Sequence, residues 1–310
     1  MRRAFSGLLS PRGSWQFAGF AKTGVIAMSQ SRPSTAAKRK TFRKLHESGC
    51  FVIPNPWNVG SARYLQGLGF KALATTSSGF AHSEGYADGA QNREQVLAHF
   101  AEIAAATDVP LNADFEDGLA DTLDGLADSV GQCIATGVAG LSIEDSPNDG
   151  KTPLYDIETA VTRVKAARAA IDRAGGDVVF TARAENFVRG VNDLDDAIRR
   201  LKAYAAAGAD CLYAPGINKR EQIEAVVKAV APKPVNFLNS GAFGFTVDDL
   251  ARMGVRRISV GGSLARVAMH AFIRTATEIA RDGSFDGFGG LITNAELNKF
   301  FSEDRKKLSS

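Results

Sequence analysis

Residues 110–118 read PLNADFEDG, which sets Asp114, Glu116 and Asp117 within four positions at the end of an apolar stretch. Strand alternation puts Asn112, Asp114 and Glu116 on one face, with Ala113 and Phe115 on the other. GLSIED ends in Glu144 and Asp145, and VVFTARAE carries Arg183 and Glu185. Carboxylates crowded in a partly desolvated place raise one another's pKa or require a cation. Oxygen donors without His or Cys suit Mg²⁺ or Mn²⁺, and Mg²⁺ typically keeps several waters and takes one or two protein carboxylates. The inward trio beside Glu144 therefore predicts a bound divalent ion. Arg183 on a facing strand offers a planar fork that matches a substrate carboxylate. A cation opposite a guanidinium defines a small, anionic, oxygen-rich substrate whose developing enolate the metal would stabilise. The reaction class is then retro-aldol C–C cleavage, decarboxylation or proton transfer.

These residues need a frame that collects strand ends. From residue 50, short β-branched stretches (FVIPN, ALATTS, PLNADF, GLSIED, VVFTARAE, CLYAPG, PVNFLN, RRISVGG) alternate with amphipathic helical ones. Gly69, Gly137, Gly208 and Gly254 follow the last periodic residue of their helices. Eight such units in about 230 residues predict a (β/α)8 TIM barrel, whose site lies at the C-terminal strand ends. A doubly wound sheet is the runner-up, but neither GxGxxG nor a P-loop occurs. Polar residues gather at those ends: Asn55 and Trp57, Thr75 to Gly79, Asp114, Glu144, Arg183, Tyr213, Asn236 and Asn239. Trp57 is a candidate pocket wall. A late helix, SLARVAMHAFIRTATEIARDG, is apolar on more than one side and predicts contact with another subunit.

Composition bounds the rest. The chain has 310 residues, 45% hydrophobic and 23% charged, an ordinary globular balance. Residues 1–46 hold ten Lys or Arg and no acid, so the remaining 27 basic residues face all 34 acidic ones, a formal charge of −7. An acidic body argues against a nucleic-acid partner. No apolar run is long enough for a membrane span. Three cysteines, Cys50, Cys133 and Cys211, form no C-x-x-C pair and fit a reducing compartment. Residues 1–45 form a basic extension expected to be disordered. It reads either as an organellar transit segment or as a doubtful start upstream of Met28. A cytoplasmic location is expected, or a mitochondrial one if that segment is a true transit peptide. The barrel is expected over 46–285, followed by a C-terminal tail over 286–310.

The stretches IPNPWNVGSARYLQGLGFKALATTSSGFAHSEGYADG, LNADFEDG, GVAGLSIED, FTARAENF, GADCLYAPG and GVRRISVGGSLARVA resemble the isocitrate lyase/phosphoenolpyruvate mutase superfamily over residues 46–282. The resemblance implies a TIM barrel, Mg²⁺, a 2-oxo or 2-hydroxy acid bound as an enolate, and tetramers that exchange the eighth helix. It implies that Ser77, Ser78 and Gly79 grip a substrate carboxylate through backbone N–H groups. Asp88 would lie near the metal, Asp114, Asn112 and Glu144 at it, and Arg183 on the substrate; Asn236 joins the substrate-binding set. Asp88, Glu116 and Arg183 form the expected catalytic group. The chain departs from the family's lyases after strand 4, where SPNDGKTPLYD carries neither the Cys nor the His of their gating loop. Glu116 is an extra carboxylate.

The expectation is a Mg²⁺-dependent lyase or decarboxylase acting through a metal-bound enolate on oxaloacetate or a methylisocitrate-like acid. The alternatives are C–P bond chemistry as in phosphoenolpyruvate or phosphonopyruvate mutases and hydrolases, for which Asn148 and Lys151 stand in the loop, and a non-catalytic carboxylate-binding barrel. A homotetramer is expected, with neither nucleic acid nor membrane as partner.

Overall fold

The computed structural model describes residues 32–147, 149 and 151–309. The strands are β1 (Phe51–Ile53), β2 (Leu73–Ala74), β3 (Leu111–Asp114), β4 (Gly140–Glu144), β5 (Val179–Arg183), β6 (Cys211–Tyr213), β7 (Val235–Leu238) and β8 (Arg257–Ser259). All neighbours pair in parallel, and β8 returns to lie beside β1. At the remaining seam the Ala74 N–H donates to the Pro54 carbonyl at 3.1 Å, so the sheet wraps into a nearly closed barrel. The expected (β/α)8 barrel is the observed architecture. Asn55 clamps the seam at its top. Its Oδ1 accepts from the Val260 and Gly261 N–H groups and its Nδ2 donates to the Thr75 carbonyl.

The helices form where the sequence supplies start and stop signals. Asn58, Asn92, Thr122, Asp156, Asp193 and Thr246 cap α2 (Val59–Gly67), α4 (Arg93–Ala106), α5 (Leu123–Ala135), α6 (Ile157–Arg173), α7 (Leu194–Ala206) and α9 (Val247–Arg252), with α8 (Arg220–Val230) between the last two. Gly69, Gly137, Gly208 and Gly254 take the positive φ expected after a helix end. The apolar core lies between the barrel and this ring, with Phe100, Leu126, Leu141, Phe180 and Tyr204 buried.

One boundary differs from the sequence reading. Residues 35–45, assigned to the extension, form α1 (Thr35–Leu45) beneath the barrel; residues 1–31 lie outside the described residues. The basic composition has a local use there. Lys38 Nζ donates to the Ala104 and Thr107 carbonyls, Arg39 to Ile134 and Val138, and Arg43 to Gly176. Those carbonyls lie at or just beyond the ends of α4, α5 and α6, where they lack helical partners. Phe42 plugs the barrel bottom, fully buried, and a Cβ at Gly140 would stand 2.5 Å from its ring. The C-terminal tail contains α11 (Asn294–Ser309), held to α2 by Arg63–Asp304 and by Phe300 against Tyr64. Helix α10 (Ser263–Asp282) has no buried residue, and Val267 and Phe272 stand 68% and 67% exposed.

Candidate active site

Parallel pairing puts Glu144 of β4 directly beside Arg183 of β5, and Tyr213 of β6 beside Arg183 on its other side. The guanidinium spans three carboxylates: Nη1 to Asp114 at 2.5 Å, and Nη2 to Glu185 at 2.9 Å and Glu144 at 3.1 Å. Its Nε also donates to Glu185, and its Cζ lies 5.2 Å from the Tyr213 ring centre. Arg189, on the loop after β5, reaches the other oxygen of Glu144 at 3.2 Å. Burial, then Glu185, pushes Glu144 well above the usual carboxylate range, with Arg183 and Arg189 opposing.

Asp114 is fixed from two further sides. Its Oδ2 accepts from the Ser77 N–H at 3.1 Å, and its own N–H donates to Thr75 Oγ1. Ser77 opens the short helix α3 (Ser77–Ser83), capped by Thr76, whose Oγ1 also accepts from the Gly79 N–H and pairs with Ser78 Oγ. Glu116 adopts φ +47°, a left-handed conformation that costs a non-glycine residue of order 1–2 kcal/mol. Burial, then the charges of Asp114, Asp88 and Asp117, pushes its carboxyl up to about 7 against Arg183.

A cavity of about 190 Å³ is lined by Ser77, Ser78, Asp88, Asn112, Asp114, Arg183 and Asn236, among others. Those seven expected residues therefore meet in one place. Asp88 reaches it from an exposed loop. Asn112 lies one layer deeper than Asp114, with Oδ1 towards Arg257 and Nδ2 on the Ala113 carbonyl. Asn236 holds Ser259 and Arg257 at the floor. Trp57 and Gly79 instead line an adjoining groove of about 720 Å³ with α10. Asp145 turns the other way from Glu144, into the wall, where Arg200, Tyr204 and the Glu185 N–H take its oxygens. In the loop after β4, Asp149 accepts from the Lys151 and Thr152 N–H groups, and the Tyr155 N–H donates to the Asp145 carbonyl. Asn148 lies outside the described residues.

Sequence reasoning did not single out Arg189 or Arg257. Arg257 carried a signal, since alternation places it on the face of Ser259. Arg189 carried none, because its reach to Glu144 depends on the turn between Glu185 and Val191.

Among the described residues no three of His, Cys, Asp and Glu converge as a cation cage; Arg183 lies between Asp114, Glu144 and Glu185. The donor chemistry nevertheless fits Mg²⁺. All the candidates are oxygens, and one or two carboxylates suffice.

Known proteins share this frame. A protein of Burkholderia cenocepacia J2315 described as a lyase/mutase superposes with a TM-score of 0.83 at 43% identity, covering 86% of this chain and 97% of its own. Oxaloacetate decarboxylase of Paraburkholderia xenovorans is 29% identical over 265 residues, 81% of this chain and 84% of that protein. A phosphonopyruvate hydrolase in complex with oxalate and Mg²⁺ matches with a TM-score of 0.75 at 26% identity, over 87% of this chain and 96% of that one. The phosphoenolpyruvate phosphomutase family profile matches residues 42–280. Acid-ringed barrel mouth and sequence thus agree, and the chain belongs to the phosphoenolpyruvate phosphomutase family, within the isocitrate lyase/phosphoenolpyruvate mutase superfamily of lyases and mutases.

Proposed function

We propose that the chain is a Mg²⁺-dependent lyase or decarboxylase acting through an enolate on a small 2-oxo or 2-hydroxy dicarboxylate such as oxaloacetate or a methylisocitrate-like acid. The observation that carries this reading is the Arg183 guanidinium held against Asp114 and Glu144 at the wall of a 190 Å³ cavity. That volume suits a small acid. Asp114 and Glu144 would hold Mg²⁺, with Asn112 below them. The ion, when bound, supplies Lewis-acid stabilisation of developing enolate charge. Arg183 binds the substrate carboxylate with its fork, and Ser77 and Ser78 at the cavity wall bind its neighbouring oxygens; the Ser77 N–H must leave Asp114 to take part, and the Gly79 N–H stays on Thr76 Oγ1. Trp57 walls the approach. Glu116, poised near neutral pH and within the field of Asp88, takes or returns a proton. The loop after β4 offers no thiol, and decarboxylation needs none, which favours it over isocitrate-type cleavage. The likeness to an oxaloacetate decarboxylase points the same way.

A screen for pyruvate release from oxaloacetate, methylisocitrate, dimethylmalate and phosphonopyruvate tests this reading. EDTA-sensitive release from one of the carbon acids is expected. Release from phosphonopyruvate alone would move the reaction to a C–P bond, and release from none would overturn both readings.

We also infer that a second copy of the chain covers α10, giving a homo-oligomer of tetramer type. Light scattering during size exclusion checks it; a monomer at micromolar concentration would refute it.

A further inference from the structure

Arg257 is a buried cation with no carboxylate partner among the described residues. It is 3% exposed, on the inward face of β8 with Ser259, and it lines the floor of the 190 Å³ cavity. Its partners are all neutral: Nε donates to Asn236 Oδ1 at 2.8 Å, and Nη1 to Asn112 Oδ1 and His46 Nε2, both at 3.4 Å. His46 Nδ1 donates to the Phe42 carbonyl, which leaves Nε2 as a lone pair facing the guanidinium. Burial and Arg257 together hold that imidazole neutral, with its pKa at about 3. Nη2 makes no hydrogen bond among the described residues. Arg63 and Arg200, comparably buried, each have a carboxylate partner, whereas Arg163 rests on the Asp117 and Ala120 backbone carbonyls. The acids nearest above it are already engaged by Arg183 and Arg189.

Burying a guanidinium on neutral acceptors alone is costly. The expense makes sense if an anion completes the site. Asn112 and Asp114 share a strand face two residues apart, so Arg257 lies one layer, roughly 7 Å, below the Asp114–Arg183 layer. That span is comparable to an extended four-carbon diacid. We propose that Arg257 receives the second anionic group of the substrate, a carboxylate or phosphonate directed into the barrel, and so selects dianionic over monoanionic 2-oxo and 2-hydroxy acids. This rests on the small-acid reading of the site and adds the residue that reads the substrate's far end. The planar fork suits that task, and its neutral supports hold it without satisfying its charge.

Malate and lactate differ by the second carboxylate, which makes them the discriminating pair. Each is titrated calorimetrically, at constant Mg²⁺, into the wild-type protein, Arg257→Gln and Arg257→Lys. The wild type is expected to bind malate roughly 30-fold or more tightly than lactate. Arg257→Gln is expected to bring that ratio close to one while lactate affinity stays within about 3-fold. A merely structural role would weaken both acids together, so an unchanged ratio overturns the proposal. If Arg257→Gln does not fold by circular dichroism, Arg257→Lys is read instead, and malate affinity alone should fall; an unchanged ratio there also overturns it. Wild-type protein that binds neither acid would remove the small-acid reading and the Arg257 assignment with it. Malate binding that ignores Arg257 would remove the assignment only.

Discussion

Arg183 Nη1 lies 2.5 Å from Asp114 Oδ1, so the anion-binding fork at the barrel mouth is closed by the carboxylate best placed to bind a cation. Each group holds the other in a single rotamer while no ligand competes. The Ser77 N–H and Thr75 Oγ1 keep Asp114 in register. Pre-organisation of this kind lowers the ordering cost of the reacting complex. Asp114→Ala should therefore abolish Mg²⁺-dependent turnover, by on the order of 10³-fold or more in kcat/KM. Arg183 keeps Glu144 and Glu185, so the barrel should remain folded. Steady-state kinetics with a melting curve check both halves, and full activity would remove the metal assignment.

Arg183→Lys separates charge from geometry. An ammonium keeps the positive charge between Asp114, Glu144 and Glu185 but loses the bidentate fork and the stacking on Tyr213. KM should rise roughly 10- to 100-fold with kcat falling less, since the lost contact is made to substrate in both ground and transition states. Unchanged KM would place Arg183 outside substrate binding.

Strand-level pattern was the most readable part of this chain. Period-two alternation separated Asn112 and Asp114 from Ala113 and Phe115, and the cavity is lined accordingly. The same rule separates neighbours Glu144 and Asp145, which the sequence reading left together at the strand end: one meets Arg183, the other Arg200 and Tyr204 in the wall. Helix α1 was not readable, because its lysine and arginines bond carbonyls more than sixty positions away and leave no local trace. Its basic run looks like a solvated leader until Ala104, Ile134 and Gly176 are beside it. Arg189 fails for a similar reason, since a loop turn carries it to Glu144.

His99 gives the fold a pH dependence of known sign. The ring is buried and stacked 3.8 Å from Phe80, its Nε2 has no partner among the described residues, and burial lowers its pKa to about 4. The unfolded chain titrates near 6.5, so between those values it binds more protons than the native state. This contribution to stability is complete above about pH 6.5 and is lost as pH falls towards 4. Raised carboxyls such as Glu116 act in the opposite sense, so the comparison is made against His99→Phe. Between pH 7 and 5 the wild type should lose roughly 1–2 kcal/mol more than the variant in urea denaturation. Parallel pH profiles would show that the ring is charged or solvated in the native protein.

Arg63 and Asp304 make the corresponding case for the C-terminal helix. Their side chains are 6% and 11% exposed, Arg63 Nε meets Asp304 Oδ2 at 2.5 Å, and the same guanidinium donates to the Ala106 carbonyl. A buried pair is costly to break because the surviving charge stays desolvated, whereas replacing both members by apolar groups removes that penalty. Asp304→Leu should therefore destabilise the protein by about 3–5 kcal/mol, while Arg63→Met combined with Asp304→Leu recovers much of the loss. Phe300 remains against Tyr64 in both variants and keeps α11 in position for the comparison. Urea midpoints for Arg63→Met, Asp304→Leu and the double variant complete the cycle. A double variant as unstable as the sum of its singles would mean that α11 depends on the pair for more than neutralised charge.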